Sequence, residues 1–570
     1  MYTLGINATF HDSSACLVRD GVPIAAAEDE RFTHVKHGKR PTPVTTYQLP
    51  FHAIDYCLRE AGIVMRDVDH VAYSFNPYRL LNSYTGQETI TLPLEPSAHP
   101  GFEGYAPWEQ LFLSYTLNAP RFLVGDVPFH LKARFRDIRR DGPYRWHFVD
   151  HHLAHAASAF LPSPFERAVV MTLDGHGETT TTGYWIGEGD SLSLLRDVKV
   201  PHSLDFLYED LTTYLGLLHS SDEYKVMALA AYGTPRYLDT FRELVCLNPD
   251  GTYTIERYNL ADLFGPPRES KSPFEPRHFD IAASLQQCLE ETVLAIAEHL
   301  HAETGLDGVC LAGGVALNCV MNARLRDRGP FKRIWVQPAA GDAGTALGAA
   351  LWVDLQERDG QRAYEMTEAY LGPGYSDVDI QAALDRAKLR YQRLDDPAAT
   401  AARLLAQGKI VGWFQGRMEF GPRALGARSL LATPTDADML PRLNAIKDRE
   451  DFRPVAPAVL EEAAGDWFEN AGYSPFMLFV HNVRPEMAER IPAVRHVDGT
   501  ARIQTVNAEQ MPLYYRLIRE FGQLTGVPVV INTSFNIRGE PIVCSPQDAL
   551  ECFYVSPLDA LVIGNFLLEK

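Results

Sequence analysis

One short pattern occurs twice in this chain, and that repetition is the tightest constraint on its fold. Thr3–Asn7 is an apolar run closed by Asn7, residues 8–13 make a polar turn, and Ser14–Val18 is a second run. The Asp20-Gly21 pair then predicts a tight hairpin into Val22–Ala27, giving a three-strand meander. The pattern returns at Ala168–Asp174, with a turn at Gly175–Glu178 and a β run over Thr179–Ile186. Each unit ends its first strand on a polar residue, Asn7 or Asp174, followed by small residues that let the backbone turn. A third turn, Gly313-Gly314, follows the apolar run Gly308–Ala312 and leads past Asn318 into a predicted helix. Turns of this kind can hold phosphate through backbone N–H groups, and glycine lets a nucleotide approach closely.

Between the two units, residues 149–160 read Val-Asp-His-His-Leu-Ala-His-Ala-Ala-Ser-Ala-Phe, and the tail favours helix. His151 and His155 are four apart, so a helix puts both imidazoles on one face, which is half of a metal site. His152 points about 100° away on the same helix and is left out. Surface or capping histidines are the competing reading, and a third ligand is needed to decide.

The chain has 570 residues, 46% of them hydrophobic and 22% charged, which predicts a multidomain globular protein. No run of eighteen apolar residues and no signal-peptide pattern is present, so a cytoplasmic protein without a membrane partner is expected. Eight scattered cysteines without a CxxC pair argue against zinc ribbons and disulfide frameworks. A net charge of −20 argues against a nucleic-acid partner. A homodimer is the default expectation.

Residues 86–145 are rich in proline, aromatic and basic residues, and read either as an insertion shaping a cleft or as a helical cover on the sheet. Amphipathic helices are predicted over 282–304 and 377–388, both structural. The Gly/Pro cluster at Leu371–Ser376 marks a domain change, and the boundary is drawn between residues 365 and 366. Beyond it, the buried run Ile410–Phe414 leads into a segment with Arg417, Arg423 and Arg428 among glycines and a proline. Lys447, Arg449 and Arg453 follow, and Val529–Ile531 empties into the polar loop Asn532-Thr-Ser-Phe-Asn536. Guanidinium forks suit phosphate and carboxylate, so this half reads as a polyanion pocket in an acidic protein. Salt bridges on a solvated face fit Arg428 and Arg449 well and Arg423 poorly.

Taken together, Gly5-Ile-Asn7, Phe10-His-Asp12, Lys36-His-Gly38, His151–Ala157, Asp174-Gly175, Lys225–Ala230 and Gly313–Asn318 resemble O-carbamoyltransferases of the NodU/CmcH/TobZ type. Gly421–Gly426, Arg453–Pro457 and Asn532–Asn536 extend the resemblance through the second half. One departure is Asp222-Glu-Tyr-Lys-Val-Met-Ala228, where glycine is expected at both ends. The resemblance implies an α/β protein of two domains. Residues 1–365 would be an actin-like, duplicated (ASKHA) transfer domain, similar to the tRNA threonylcarbamoyl transferase TsaD. Residues 366–570 would be a YrdC-like domain that forms carbamoyl-adenylate.

The likeness also supplies a third metal ligand, Asp342 in Ala340-Gly-Asp-Ala-Gly344. A two-His, one-carboxylate set suits Fe(II), while zinc and manganese stay open. The resemblance implies nucleotide contacts at Asp12, Lys36, Asp174, Gly175, Lys225, Gly313, Gly314 and Asn318. ATP, with Mg, and carbamoyl phosphate would be the co-substrates. In the second domain Arg417, Arg423, Lys447, Arg453 and Arg502 would hold phosphates, with Asn532 and Ser534 orienting the carbamoyl group. His11 is the expected general base, because imidazole accepts protons near neutral pH. The acceptor would be a hydroxyl of a small natural product or sugar. The rivals are tRNA or hydrogenase-maturation carbamoyl transfer, a small-molecule kinase, and a nucleotide-gated binding protein.

Overall fold

The computed structural model describes residues 1–38, 49–79, 116–125, 142–537 and 539–570. The chain divides into two compact units, Met1–Glu30 with His37–Met366, and Arg31–Lys36 with Thr367–Lys570. Sequence reading placed residues 31–36 wholly in the first domain; they cluster with the second. Most of the insertion predicted over 86–145 lies outside the described residues.

The first unit holds two five-stranded sheets. In the first, β1 (Tyr2–Asn7), β2 (Ser14–Arg19) and β3 (Val22–Glu28) form the antiparallel meander, and β4 (His70–Tyr73) and β5 (Arg145–Phe148) add in parallel. The helix α1 (His151–Phe160) follows β5. In the second sheet β6 (Arg167–Leu173), β7 (Thr180–Glu188) and β8 (Ser191–Lys199) are the meander. After the long helix α2 (Pro276–Thr304), β9 (Gly308–Ala312) and β10 (Arg333–Val336) join β6 in parallel. The helix α3 (Ala343–Glu357) then follows β10.

The strand orders are β3-β2-β1-β4-β5 and β8-β7-β6-β9-β10, the same topology twice. The first three strands of the first sheet and the first two of the second were visible in the sequence through their turns; β8 was not. The parallel strands are short runs buried on both faces, such as β4 and β9, and lack the alternation that marks a half-exposed strand.

Equivalent helices from the two repeats pack together, and small residues let them approach. A Cβ on Gly348 of α3 would collide with the Ala154 carbonyl oxygen of α1, and one on Gly5 of β1 would collide with Ala346 of α3. The approach brings the start of α1, at His151, beside Asp342, which precedes the first residue of α3.

The second unit is built on an eight-stranded mixed sheet. Its strands are β11 (Gln392–Arg393), β12 (Val411–Phe414), β13 (Arg428–Ala432), β14 (Ala456–Leu460), β15 (Gln504–Val506), β16 (Val529–Ser534), β17 (Ala560–Ile563) and β18 (Phe566–Glu569). They run in the order β11-β18-β17-β12-β13-β16-β14-β15. Trp413, Leu430, Ile531 and Val562 lie in its core, and the helices Pro397–Ala406 and Pro512–Thr525 pack together beside it. Both helices begin with proline in the first turn, where a missing N–H costs nothing. Among the described residues no helix is long and apolar enough to cross a membrane.

Candidate functional site

His151 and His155 stand on the first turns of α1 with both side chains fully buried. Their Nε2 atoms are 3.1 Å apart. Asp342 joins them, with Oδ1 at 3.5 Å from His151 Nε2 and 3.6 Å from His155 Nε2. Asp174, which sequence reading assigned to nucleotide contact, is a fourth member, with Oδ2 at 3.3 Å and 3.6 Å from the same two nitrogens. Bonds of about 2.0–2.2 Å in tetrahedral array put ligand atoms roughly 3.3–3.6 Å apart, so the set fits one ion at its centre. Asp342 Oδ1 is buried without a hydrogen-bond partner, as an oxygen awaiting a cation is. Both carboxylates come from the second sheet: Asp174 follows its first strand and Asp342 its fifth.

The second layer orients the first. His151 Nδ1 lies 3.2 Å from the Ser74 carbonyl oxygen, to which it donates, leaving Nε2 free to face the cluster. Glu178 accepts from the His151 backbone N–H at 3.0 Å and from Asn76 N–H at 2.7 Å. Burial pushes the Glu178 carboxyl up to about 7 against the opposing charge of His151. Burial also disfavours charge on His151 and His155, yet Asp174 and Asp342 outweigh it and hold both imidazoles above their usual range. His152 points away, as expected, and pairs with Thr172 Oγ1 at 2.8 Å.

His11 sits at the rim. Asp12 Oδ2 lies 2.9 Å from its Nδ1, and its Nε2 is 3.9 Å from Asp342 Oδ2. Asp12 Oδ1 is also 2.9 Å from His37 Nδ1. Burial works against the Asp12 charge, but His37 and His11 together hold the carboxyl well below the usual range. Asp12 is thus an orienting group for two imidazoles, and it has the positive φ of 51° that the tight turn demands.

The two glycine turns meet at Asp174, whose Oδ1 accepts from Gly314 N–H at 2.7 Å. Gly313 has φ 92° and lies so close to Leu173 that any side chain would collide. Asp205 was missed in the sequence because it lies in the first turn of an ordinary helix, Leu204–Tyr214, capped by Ser203. Its carboxylate faces the glycines: a Cβ on Gly175 would stand 3.3 Å from Oδ2, and one on Gly314 3.7 Å. Burial first, then Glu209, Asp174 and Glu223, push this carboxyl well above its usual range. Asn318 caps the helix Cys319–Arg328 by accepting from Met321 N–H, and bonds Gln286 at 2.8 Å. Lys225 pairs with Asp222 at 3.1 Å. Lys36 belongs to the second unit, where its charge acts on Lys447.

In the second unit the Lys447 ammonium donates to Ser534 O (2.5 Å) and Oγ (3.0 Å) and to Asn536 O (3.3 Å) and Oδ1 (2.6 Å). The loop itself thereby engages the three N–H donors of this ammonium. Burial first, then Arg449, Arg453 and Lys36, push this ammonium well below its usual range. Asn532 is fully buried and donates to Ala424 O at 3.2 Å and Gln504 Oε1 at 2.8 Å, with its Oδ1 unpartnered. Arg417 donates to the Leu371 and Gly372 carbonyls, and Arg453 is 3.5 Å from Glu450. Arg502 ends the strand Thr500–Arg502, and Arg423 is half-buried in the Gly421–Gly426 turn.

Arg428 overturns its solvated-face reading. It is fully buried, lies 3.6 Å over the Phe414 ring, and donates to the Gln415, Gly416, Ala427 and Pro373 carbonyls. Buried Glu419, also unforeseen, accepts from Leu425, Ala427 and Arg428 N–H groups and so shapes the arginine loop. Arg31 reaches the same loop through the Gly421 carbonyl at 3.0 Å.

Two family models match the chain: one described as carbamoyltransferase N-terminus over residues 2–351, the other as carbamoyltransferase C-terminus over 402–570. The chain is 43% identical to an uncharacterized protein, sll1178, of Synechocystis, over all of this chain and 97% of that protein. It is 40% identical to nodulation protein NolNO of Sinorhizobium fredii, over 99% of this chain and 80% of that protein. Among solved structures, full-length HypF in its phosphate- and nucleotide-bound form aligns with 63% of this chain and 56% of its own. That alignment has 13% identity and a TM-score of 0.35.

Proposed function

The chain belongs to the carbamoyltransferase family, and from that premise we propose that it transfers a carbamoyl group to a hydroxyl of a small-molecule acceptor at the expense of ATP. The observation that carries the reading is the buried His151–His155–Asp174–Asp342 cluster with the oriented His11 imidazole at its rim. The repeated strand order supports the actin-like reading of the first unit, in which turns after equivalent strands hold phosphate.

In this account the second unit forms carbamoyl-adenylate from carbamoyl phosphate, water and ATP: water cleaves the acyl phosphate to carbamate and phosphate, and the carbamate oxygen attacks the α-phosphorus of ATP and displaces pyrophosphate. Arg423, Arg453 and Arg502 neutralise phosphate charge, and Arg417, whose loop leads to Arg423, is tied to the Leu371 and Gly372 carbonyls. Lys447 holds Ser534 and Asn536 in place, and Asn532 and Ser534 orient the carbamoyl group. Fixed charges of this kind act through positioning and electrostatics.

Transfer falls to the first unit. Ionised Asp12 accepts from His11 Nδ1–H, which leaves the Nε2 lone pair facing the cluster to take the proton of the acceptor hydroxyl. The hydroxyl oxygen attacks the carbamoyl carbon and AMP leaves. A divalent ion held by His151, His155, Asp174 and Asp342 would offset phosphate charge; Fe(II), zinc and manganese all suit the donors. Gly175, Gly313 and Gly314 leave room for the nucleotide, with Lys225 and Asn318 bordering it.

Pyrophosphate release strictly dependent on carbamoyl phosphate tests the first half, and carbamoylation of hydroxylated acceptors, read by mass, tests the second. Pyrophosphate release without carbamoyl phosphate, or phosphorylated acceptor, would contradict the proposal.

A further inference from the structure

A second set of metal-ligating side chains lies away from the transfer cluster. His70 opens β4, and His147 is the third residue of β5, the neighbouring parallel strand. His147 pairs in register with Ala72, two residues beyond His70, so both imidazoles leave the same face of the sheet. The helix α3 packs against β4, and its last residue is Glu357. His70 Nδ1 and His147 Nε2 are 3.0 Å apart, and Glu357 Oε1 is 3.9 Å from His147 Nε2. One ligand atom from each residue lies within 4.8 Å of the others.

We propose that His70, His147 and Glu357 form a second site for a divalent transition metal such as zinc, separate from the transfer cluster. Two nitrogens and one carboxylate oxygen facing a common point are a two-His, one-carboxylate set, and solvent can complete the shell. The His147 and Glu357 side chains are 24% and 25% exposed, so an ion can enter from water. Arg145 pairs with the other Glu357 oxygen, Oε2. That contact takes up the oxygen which does not face the histidines and fixes the carboxylate plane. A plain hydrogen bond between the imidazoles accounts for two of the three groups; the carboxylate directed at the same nitrogen is what it leaves unexplained.

The two metal sets stand at opposite ends of α3, one at Asp342 and one at Glu357, about 22 Å apart along the fifteen-residue helix. β5 is the edge strand of its sheet among the described strands and runs into α1 two residues later. An ion at His147 would tie that edge to β4 and α3 and so stiffen the strand that delivers His151.

The test is zinc titration of the full chain, followed by calorimetry and by melting temperature. The wild type is expected to bind one equivalent more than His147→Gln or Glu357→Gln, each of which should weaken the second equivalent at least tenfold and remove its contribution to melting temperature. In His151→Ala the second equivalent should persist, and Co(II) bound there should give a visible d–d band that disappears in the His147→Gln background. Zinc should also protect His147 of the wild type from diethylpyrocarbonate, a readout that needs no variant. Equal stoichiometry in wild type and His147→Gln, or labelling of His147 unaffected by zinc, would overturn the site and leave a hydrogen-bonded histidine pair.

Discussion

Gly348 and Ala154 touch backbone to backbone: the α3 residue lies so close to the α1 carbonyl that a methyl group has no room. This contact sets the separation of the two helices whose first turns hold His151, His155 and, immediately before α3, Asp342. Gly348→Ala should therefore force the helices apart, lowering stability by about 1–3 kcal/mol, as overpacking does. The variant should also lose metal affinity, although no ligand is altered. A denaturation midpoint and metal content measured together check this; normal affinity in the variant would show that the spacing is not critical.

His11→Asn should keep pyrophosphate release and lose carbamoyl transfer by roughly 10²–10⁴-fold, the usual range for a general base. Asp12→Asn removes the charge that orients the imidazole, so transfer should fall and its pH profile move with it. Normal transfer by His11→Asn removes His11 from the mechanism.

Arg423→Ala should abolish pyrophosphate release while leaving transfer from supplied carbamoyl-adenylate intact. Lys447→Ala should do the same and also destabilise the second unit, because half-buried oxygens of Ser534 and Asn536 lose their donor, at about 1 kcal/mol for each group left unsatisfied. Separate assays of the two half-reactions, with thermal melts, distinguish these effects. Equal failure of both half-reactions in Arg423→Ala contradicts the division of labour.

Glu178 gives the metal-free protein a pH dependence. Its carboxyl is raised by burial from 4.5 to about 7. Between those values the folded chain keeps a proton that the unfolded chain has released, so this group lowers stability as pH rises through the window. Glu178→Gln, which retains an oxygen for the His151 N–H, should flatten that part of the profile. An unchanged slope in thermal melts from pH 4.5 to 7 would exclude the assignment.

How much of this was legible in the sequence depends on range. The first meander and the opening hairpin of the second were visible because Asp20-Gly21 and Gly175 mark local turns, and His151/His155 because four residues is about one helical turn. Asp342 came only through family resemblance, and Asp174 was seen but given to the nucleotide. Nothing local in either residue tells that the fold will bring it to the histidines. Arg428 was misread for a related reason: its partners are backbone carbonyls, some far away in sequence, and charge patterning does not show these. Helix periodicity over 282–304 survived because it is a property of one element, and the helix runs from Pro276 to Thr304.

The central claim is that His151, His155, Asp174 and Asp342 hold one ion where carbamoyl transfer occurs. The most direct measurement is the metal content of desalted wild type, His151→Ala and Asp174→Asn, with transfer from supplied carbamoyl-adenylate assayed on the same samples. The account predicts a tightly held ion in the wild type, its loss in both variants, and loss of transfer with pyrophosphate release preserved. Full retention of that ion in His151→Ala, or undiminished transfer by a metal-free variant, would contradict it.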